Sequence, residues 1–252
     1  MLLPLWAIPI LFVTGVTAGL VDSVAGGGGL IALPVLLMFG FPAPMALGTN
    51  KLQSMFGTLS STRRYAQSHA IDLPGCWIGA VATFLAALAG AYAVQSINPS
   101  FLGKVMPFLI GAIFIYMLFR PHAGTHEVPA RMPKKFFYIL TGLVLGFYDG
   151  FFGPGVGSFW TIAIIFGLGF EFLKATGTTK LMNAASNVAA VGLFALLHHI
   201  DWVAGLTMAV GQIVGARLGA GVAVKKGARF VRPLFLTIVG LTLARLIYLA
   251  VK

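Results

Sequence analysis

The chain states most of its motifs twice, which limits it to folds built from two related halves. Gly19-Leu20-Val21-Asp22-Ser23-Val24-Ala25-Gly26-Gly27-Gly28-Gly29 returns as Gly146-Phe147-Tyr148-Asp149-Gly150-Phe151-Phe152-Gly153-Pro154-Gly155-Val156. Gly48-Thr49-Asn50-Lys51-Leu52 returns as Gly177-Thr178-Thr179-Lys180-Leu181, and His69-Ala70-Ile71-Asp72 as His198-His199-Ile200-Asp201. Leu88-Ala89-Gly90-Ala91 then aligns with Arg217-Leu218-Gly219-Ala220, and Pro107 with Pro233. Internal duplication of an apolar chain is a signature of secondary transporters, whose binding site lies between the related halves.

The solvent for this fold is lipid. With 58% hydrophobic and 9% charged residues, 252 residues are far too apolar for a soluble domain and form an integral membrane protein. The net charge of +11 comes in short clusters between apolar stretches rather than on one face, which argues against a nucleic-acid partner. Cys76, the single cysteine, allows no intrachain disulfide, and no Cys/His spacing suits zinc or haem, so neither cofactor nor metal is expected.

Segments long enough to cross about 30 Å of hydrocarbon are Leu47 to Ala66, Leu73 to Val94 and Leu102 to Phe119, with second-half partners Thr178 to Leu197, Trp202 to Val224 and Val231 to Val251. A less clear pair precedes each triplet: Leu2 to Val21 with Leu30 to Phe39, and Phe136 to Tyr148 with Ser158 to Leu168. Glycine clusters and prolines punctuate both pairs, and such breaks are tolerated at membrane depth where protein or a water-filled cavity satisfies the freed backbone. The expected fold is therefore all-α: two repeats, each a broken or re-entrant helical hairpin followed by three transmembrane helices. The expected division is an N-terminal repeat at 1–120, a linker at 121–135 and a C-terminal repeat at 136–252. Leu2 to Leu20 lacks the basic leader of a signal peptide, and its Asp-Gly-rich end recurs at Asp149 inside the chain, so the segment is kept.

Basic residues gather around Arg63 and Arg64, from Arg120 to Lys135, at Lys174 and from Lys225 to Arg232. By the positive-inside rule these stretches are cytoplasmic and both termini are periplasmic. The Ala70-Ile71-Asp72 loop then falls inside and its partner Ile200-Asp201 outside, so the halves are expected to be inverted, the arrangement that supports alternating access.

The paired glycine-rich segments at Asp22 and Asp149, the paired Gly-Thr-x-Lys-Leu at Gly48 and Gly177, and Ile-Asp at Ile71 and Ile200 followed by Gly-Ala-x-x-Gly-Ala resemble the TauE/SafE sulfite exporter family over essentially the whole chain. The resemblance implies transport of sulfite, thiosulfate or organosulfonates such as sulfoacetate across the bacterial inner membrane, usually as export. The partners are then a small sulfur oxyanion or organosulfonate and the lipid bilayer, with proton coupling and assembly as a homo-oligomer left open.

A sulfur oxyanion needs hydrogen-bond donors and positive potential, which helix N-termini and Thr, Asn and Lys side chains supply. Gly26, Gly27 and Gly28 in one half, and Gly153 and Gly155 before Ser158 in the other, each precede a short helix and let backbone approach a ligand. Tight helix packing is the alternative use for any one of them. Thr49, Asn50, Gln53 and Ser54, with Thr178, Thr179, Asn183 and Asn187, form polar stripes that line the pathway or bond neighbouring helices.

Lys51 and Lys180 either bind the anion or snorkel to the interface, snorkelling being the simpler. Arg217 has no counterpart in Leu88; with Gln212 it holds the oxyanion, pairs with Asp149 or reaches the cytoplasmic face. Asp22 and Asp149 would repel an anion unless protonated or paired, and they serve either in coupling and gating or, more simply, in capping the glycine turns. His198, His199 and Asp201 are the one cluster suggestive of catalysis, but no nucleophile or metal motif accompanies them, and a surface loop explains them. No enzyme is expected. An anion channel of the same architecture, and a membrane enzyme using those three residues, are the alternatives to a transporter.

Overall fold

A computed structural model of the protein describes residues 4–96, 124, 126–227 and, in the last segment, 230, 231, 233–237, 240, 241, 244 and 248. The expected span Leu102 to Phe119 lies outside the described residues, as does part of Val231 to Val251. Among the described residues every regular element is helical: α1 (Ala7–Ala25), α2 (Gly29–Met38), α3 (Ala43–Gln67), α4 (Leu73–Ala93) with a 3₁₀ turn at Val94–Ser96, α5 (Lys134–Phe151), α6 (Val156–Leu168), α7 (Phe172–Leu196) and α8 (Trp202–Lys226).

Helix length separates the elements by role. At 1.5 Å per residue α2 and α6 reach only about 15 and 20 Å, too short to span, whereas α1 reaches about 28 Å. The first pair is thus a full-length helix followed by a short return, and only the second arm of each hairpin is short. Helices α1, α4 and α8 are long and apolar enough to cross a membrane. α3 and α7, at 25 residues each, are as long as α8 and longer than α1 and α4 but more polar, because they carry the Thr, Asn and Lys stripes on faces turned into the bundle.

Packing partners come from opposite halves. α1 lies along α8 and α4 along α5, with glycines letting main chains touch: a Cβ on Gly146 would come 2.7 Å from the Thr83 carbonyl oxygen. α3 and α7 pack antiparallel, since Gly48 near the start of α3 abuts the His199 carbonyl beyond the end of α7, while Gly177 near the start of α7 abuts the Ala70 carbonyl beyond the end of α3. Both helices end the same way. Ala70 N donates to the Tyr65 oxygen at 3.0 Å and His199 N to the Phe194 oxygen at 2.8 Å, closing matched six-residue caps in which His69 and His198 take φ of +56°.

Among the described residues the apolar interior falls into two clusters, one around Trp160, Tyr138, Phe172 and Tyr65, the other around Leu11, Leu36, Phe194 and Met208. Trp77 and Trp202, at the starts of α4 and α8, are exposed, as interfacial anchors are. Lys134 at the start of α5 bonds Asp72 at the start of α4 at 2.7 Å and Lys174 in α7 bonds Glu127 at 2.9 Å, and both ammonium groups lie over the Phe170 ring, so these basic residues share one end of the bundle.

Candidate functional site

Each half breaks its chain with glycine at the same place. α1 stops at Gly26, whose φ of +72° is a conformation L side chains rarely adopt, and α5 runs into Gly153 and Gly155 at +90° and +82°. The two breaks touch: a Cβ on Gly26 would collide with the Gly157 main chain, and one on Gly157 with Gly26. Ser158 Oγ donates to the Ala25 oxygen at 2.7 Å and fastens the α6 tip to the α1 tip. Gly29 opens α2 and Val156 opens α6, and both line one cavity, so the positive ends of two short helices converge there.

The cavity measures about 20 Å³, room on the scale of a single water. Its remaining lining is polar: Asp22, Asn50, Lys51, Ser54, Asp149, Asn183 and Asn187, with Gly26, Gly153, Pro154 and Gly155. The charges are paired across the halves. Lys51 of α3 donates to Asp149 Oδ1 at the end of α5, and Lys180 of α7 donates to the main-chain oxygen of Asp22 and, at 3.3 Å, to its Oδ2. Each lysine is the ninth residue of its 25-residue helix.

Neither lysine snorkels: Lys51 is 2% and Lys180 1% exposed, each drawn inward by a carboxylate of the other half. An ammonium this deep is stable only with such a partner, since isolated burial costs several kcal/mol per ion. The simple capping role for Asp22 and Asp149 is corrected by the same contacts. The Gly26 N–H is satisfied by the Asp22 main-chain oxygen at 2.9 Å, and the side chains turn to the lysines.

The two ion pairs differ in support. Ser186 donates a second hydrogen bond to Asp149, at Oδ2. Its repeat counterpart is Gly57, whose missing side chain is replaced by Gln212 packed against it. Ser186 is the residue sequence reasoning passed over. The signal was present, because 183, 186 and 187 share one helix face.

Hydrogen bonds tie the lining to the residues behind it. Gln53 Nε2 donates to the cavity-lining Asn50 Oδ1 at 3.0 Å, the cavity-lining Asn187 donates through Nδ2 to Thr58 Oγ1 at 3.4 Å, and Thr179, which does not line the cavity, meets the Thr161 hydroxyl at 3.1 Å. Thr178 is fully buried with no partner for its Oγ1 among the described residues, and the cavity-lining Asn183 leaves its Oδ1 likewise unpaired. Thr49 Oγ1 accepts from the Asp201 main-chain N at 3.0 Å at the far end of the bundle. Gly27 and Gly28 form the turn between α1 and α2, away from the cavity wall. Gln212 is buried against Gly57, and Arg217 is exposed on the outer side of α8, apart from the cavity and from Asp149. Asp201, from the suggested catalytic cluster, caps α8 by accepting from Ala204 N at 2.9 Å.

The model of the sulfite exporter TauE/SafE family matches residues 11–246. The chain belongs to the sulfite exporter TauE/SafE family. TauE/SafE relatives include a "Probable membrane transporter protein" of Haemophilus influenzae, 42% identical over 95% of this chain and 94% of its own, and YfcA of Escherichia coli, also named a probable membrane transporter, 37% identical over 95% and 89%. A Sinorhizobium protein of the same description is 40% identical over 93% of this chain and 89% of its own. No solved structure matches the chain. As a TauE/SafE protein it is a multi-pass membrane transporter and not an enzyme.

Proposed function

We propose that the protein is an inner-membrane secondary transporter that exports small sulfur-containing anions, sulfite, sulfoacetate or related organosulfonates, by alternating access. The observation that carries this reading is the crossed pairing of Lys51 with Asp149 and Lys180 with Asp22 around a cavity where two helix N-termini converge. A lysine held by an internal carboxylate is an anion site filled by the protein itself. An arriving oxyanion competes with the carboxylate for the ammonium, with Asn50, Asn183 and the helix N-termini supplying further donors. Substrate binding thus releases one cross-half contact and frees the halves to move. The repeats 1–120 and 136–252, joined by a cytoplasmic linker at 121–135, are inverted in this reading; the antiparallel packing of α3 and α7 supports it, and the basic clusters at one end support periplasmic termini.

An inside-negative potential contributes about 2.3 kcal/mol per elementary charge per 100 mV, which expels an anion without a coupled ion. Export is therefore uniport, with proton uptake by a displaced Asp22 or Asp149 as the alternative. The test is flux of radiolabelled sulfite through proteoliposomes at two clamped potentials and two pH gradients, with sulfoacetate, thiosulfate, sulfate and chloride as competitors. Saturable flux that follows the potential and is competed by sulfur oxyanions supports the reading. Unitary currents without saturation would mark a channel, and flux absent from folded protein would remove sulfite as substrate.

A further inference from the structure

A second cavity, of about 290 Å³, lies between α3 and α8, where Arg63, Arg64 and Arg217 converge with the apolar side chains of Phe56, Leu59 and Ile213. Arg63 and Arg217 are exposed and Arg64 is partly so, and the cavity opens on the outer face of the bundle, away from the central one. No carboxylate among the described residues pairs with any of the three. Three like charges gathered around one space repel one another unless an anion joins them.

Duplication does not account for this cluster. In the register that aligns Lys51 with Lys180, the counterparts of Arg63, Arg64 and Arg217 are Gly192, Leu193 and Leu88, so the equivalent face of the other half carries no charge at these positions. Orientation signals do not account for it either. Arg217 lies nine residues before Lys226 at the end of α8, roughly 13 Å along the helix, deeper than a loop charge that only sets topology. From that position an exposed guanidinium extends toward the interface, where lipid phosphates supply a counter-ion.

We propose that this cavity binds the headgroup of an anionic glycerophospholipid. The phosphate accepts from the guanidinium groups, whose planar forks suit it, and the upper acyl chains lie along Phe56, Leu59 and Ile213. A free phosphate offers the same charge but leaves the apolar wall uncovered. The site is separate from the central cavity and does not depend on which anion is transported.

The experiment is native mass spectrometry of the detergent-purified full chain titrated with phosphatidylglycerol, phosphatidylcholine and inorganic phosphate. Wild type is expected to retain one phosphatidylglycerol about a hundredfold more tightly than phosphatidylcholine, at about fivefold per arginine. Arg217→Gln should lose about fivefold, and the triple variant R63Q/R64Q/R217Q should show no preference, while Lys174→Gln, which removes a charge elsewhere, keeps it. Equal binding of both lipids by wild type, or a preference that survives in the triple variant, overturns the proposal. Displacement of the lipid by equimolar inorganic phosphate would overturn it in favour of a soluble anion. If the triple variant does not fold, Arg217→Gln alone decides.

Discussion

Asp149 is gripped from both sides, by Lys51 at one carboxylate oxygen and by Ser186 at the other, whereas Asp22, its repeat counterpart, meets Lys180 at 3.3 Å with no such hydroxyl among the described residues. Unequal restraint means unequal cost on neutralisation. D149N is expected to lower stability by about 3–5 kcal/mol, because it leaves the buried Lys51 without a counter-charge, and D22N by less, since Lys180 keeps the Asp22 main-chain oxygen. Denaturation in mixed micelles, comparing the two variants, checks the order; equal losses would show that the main-chain contact does not compensate Lys180.

Removing both members of the pair should repair the fold but not the transport. K51M/D149N is expected to recover most of the stability lost by K51M alone, because no unpaired charge remains buried. Flux in proteoliposomes should stay at the level of empty liposomes for the single and the double variant alike. A double variant that transports would remove Lys51 from the anion's path.

Where the two hairpin tips touch, there is no room for a methyl group. Gly26→Ala places a side chain both at φ +72° and against the Gly157 main chain, and should cost roughly 1–3 kcal/mol. Gly27→Ala, whose Cβ would meet Val21 and Leu30 side chains at 3.6 and 3.8 Å, should cost far less. Thermal melting of both variants, read side by side, distinguishes a contact requirement from a general need for small residues.

The caps of α3 and α7 invite the opposite outcome. His69 and His198 hold a left-handed backbone that costs a non-glycine residue about 1 kcal/mol, so H69G and H198G should each stabilise by up to that amount. A fall in melting temperature would show that the imidazoles make contacts worth more than the strain.

How much of this was legible depended on whether the signal was local. The two short helices showed in the sequence because hydrophobic length and glycine breaks are properties of one segment, and the Asn and Thr stripes because helical spacing is. The lysines were misjudged for a specific reason. Starting the spans at Leu47 and Thr178 puts Lys51 and Lys180 within a turn or so of a helix end, but the helices begin at Ala43 and Phe172, which carries both ammonium groups a further turn inward. Which carboxylate each would meet was beyond periodicity, since Lys51 and Asp149 are 98 positions apart and joined only by tertiary packing. Ser186 was hidden by its neighbours, a lone hydroxyl between two asparagines.

The exchange of partners between halves also bears on how the protein is made. α1 finds its packing surface on α8, and α4 finds one on α5. During synthesis α1 therefore enters the bilayer long before the helix it is to lie against has been translated, and its small-residue face must wait there among lipids. Assembly becomes a late event, gated by completion of the second half, and a truncated chain ending before α8 would expose that unpartnered face to membrane proteases.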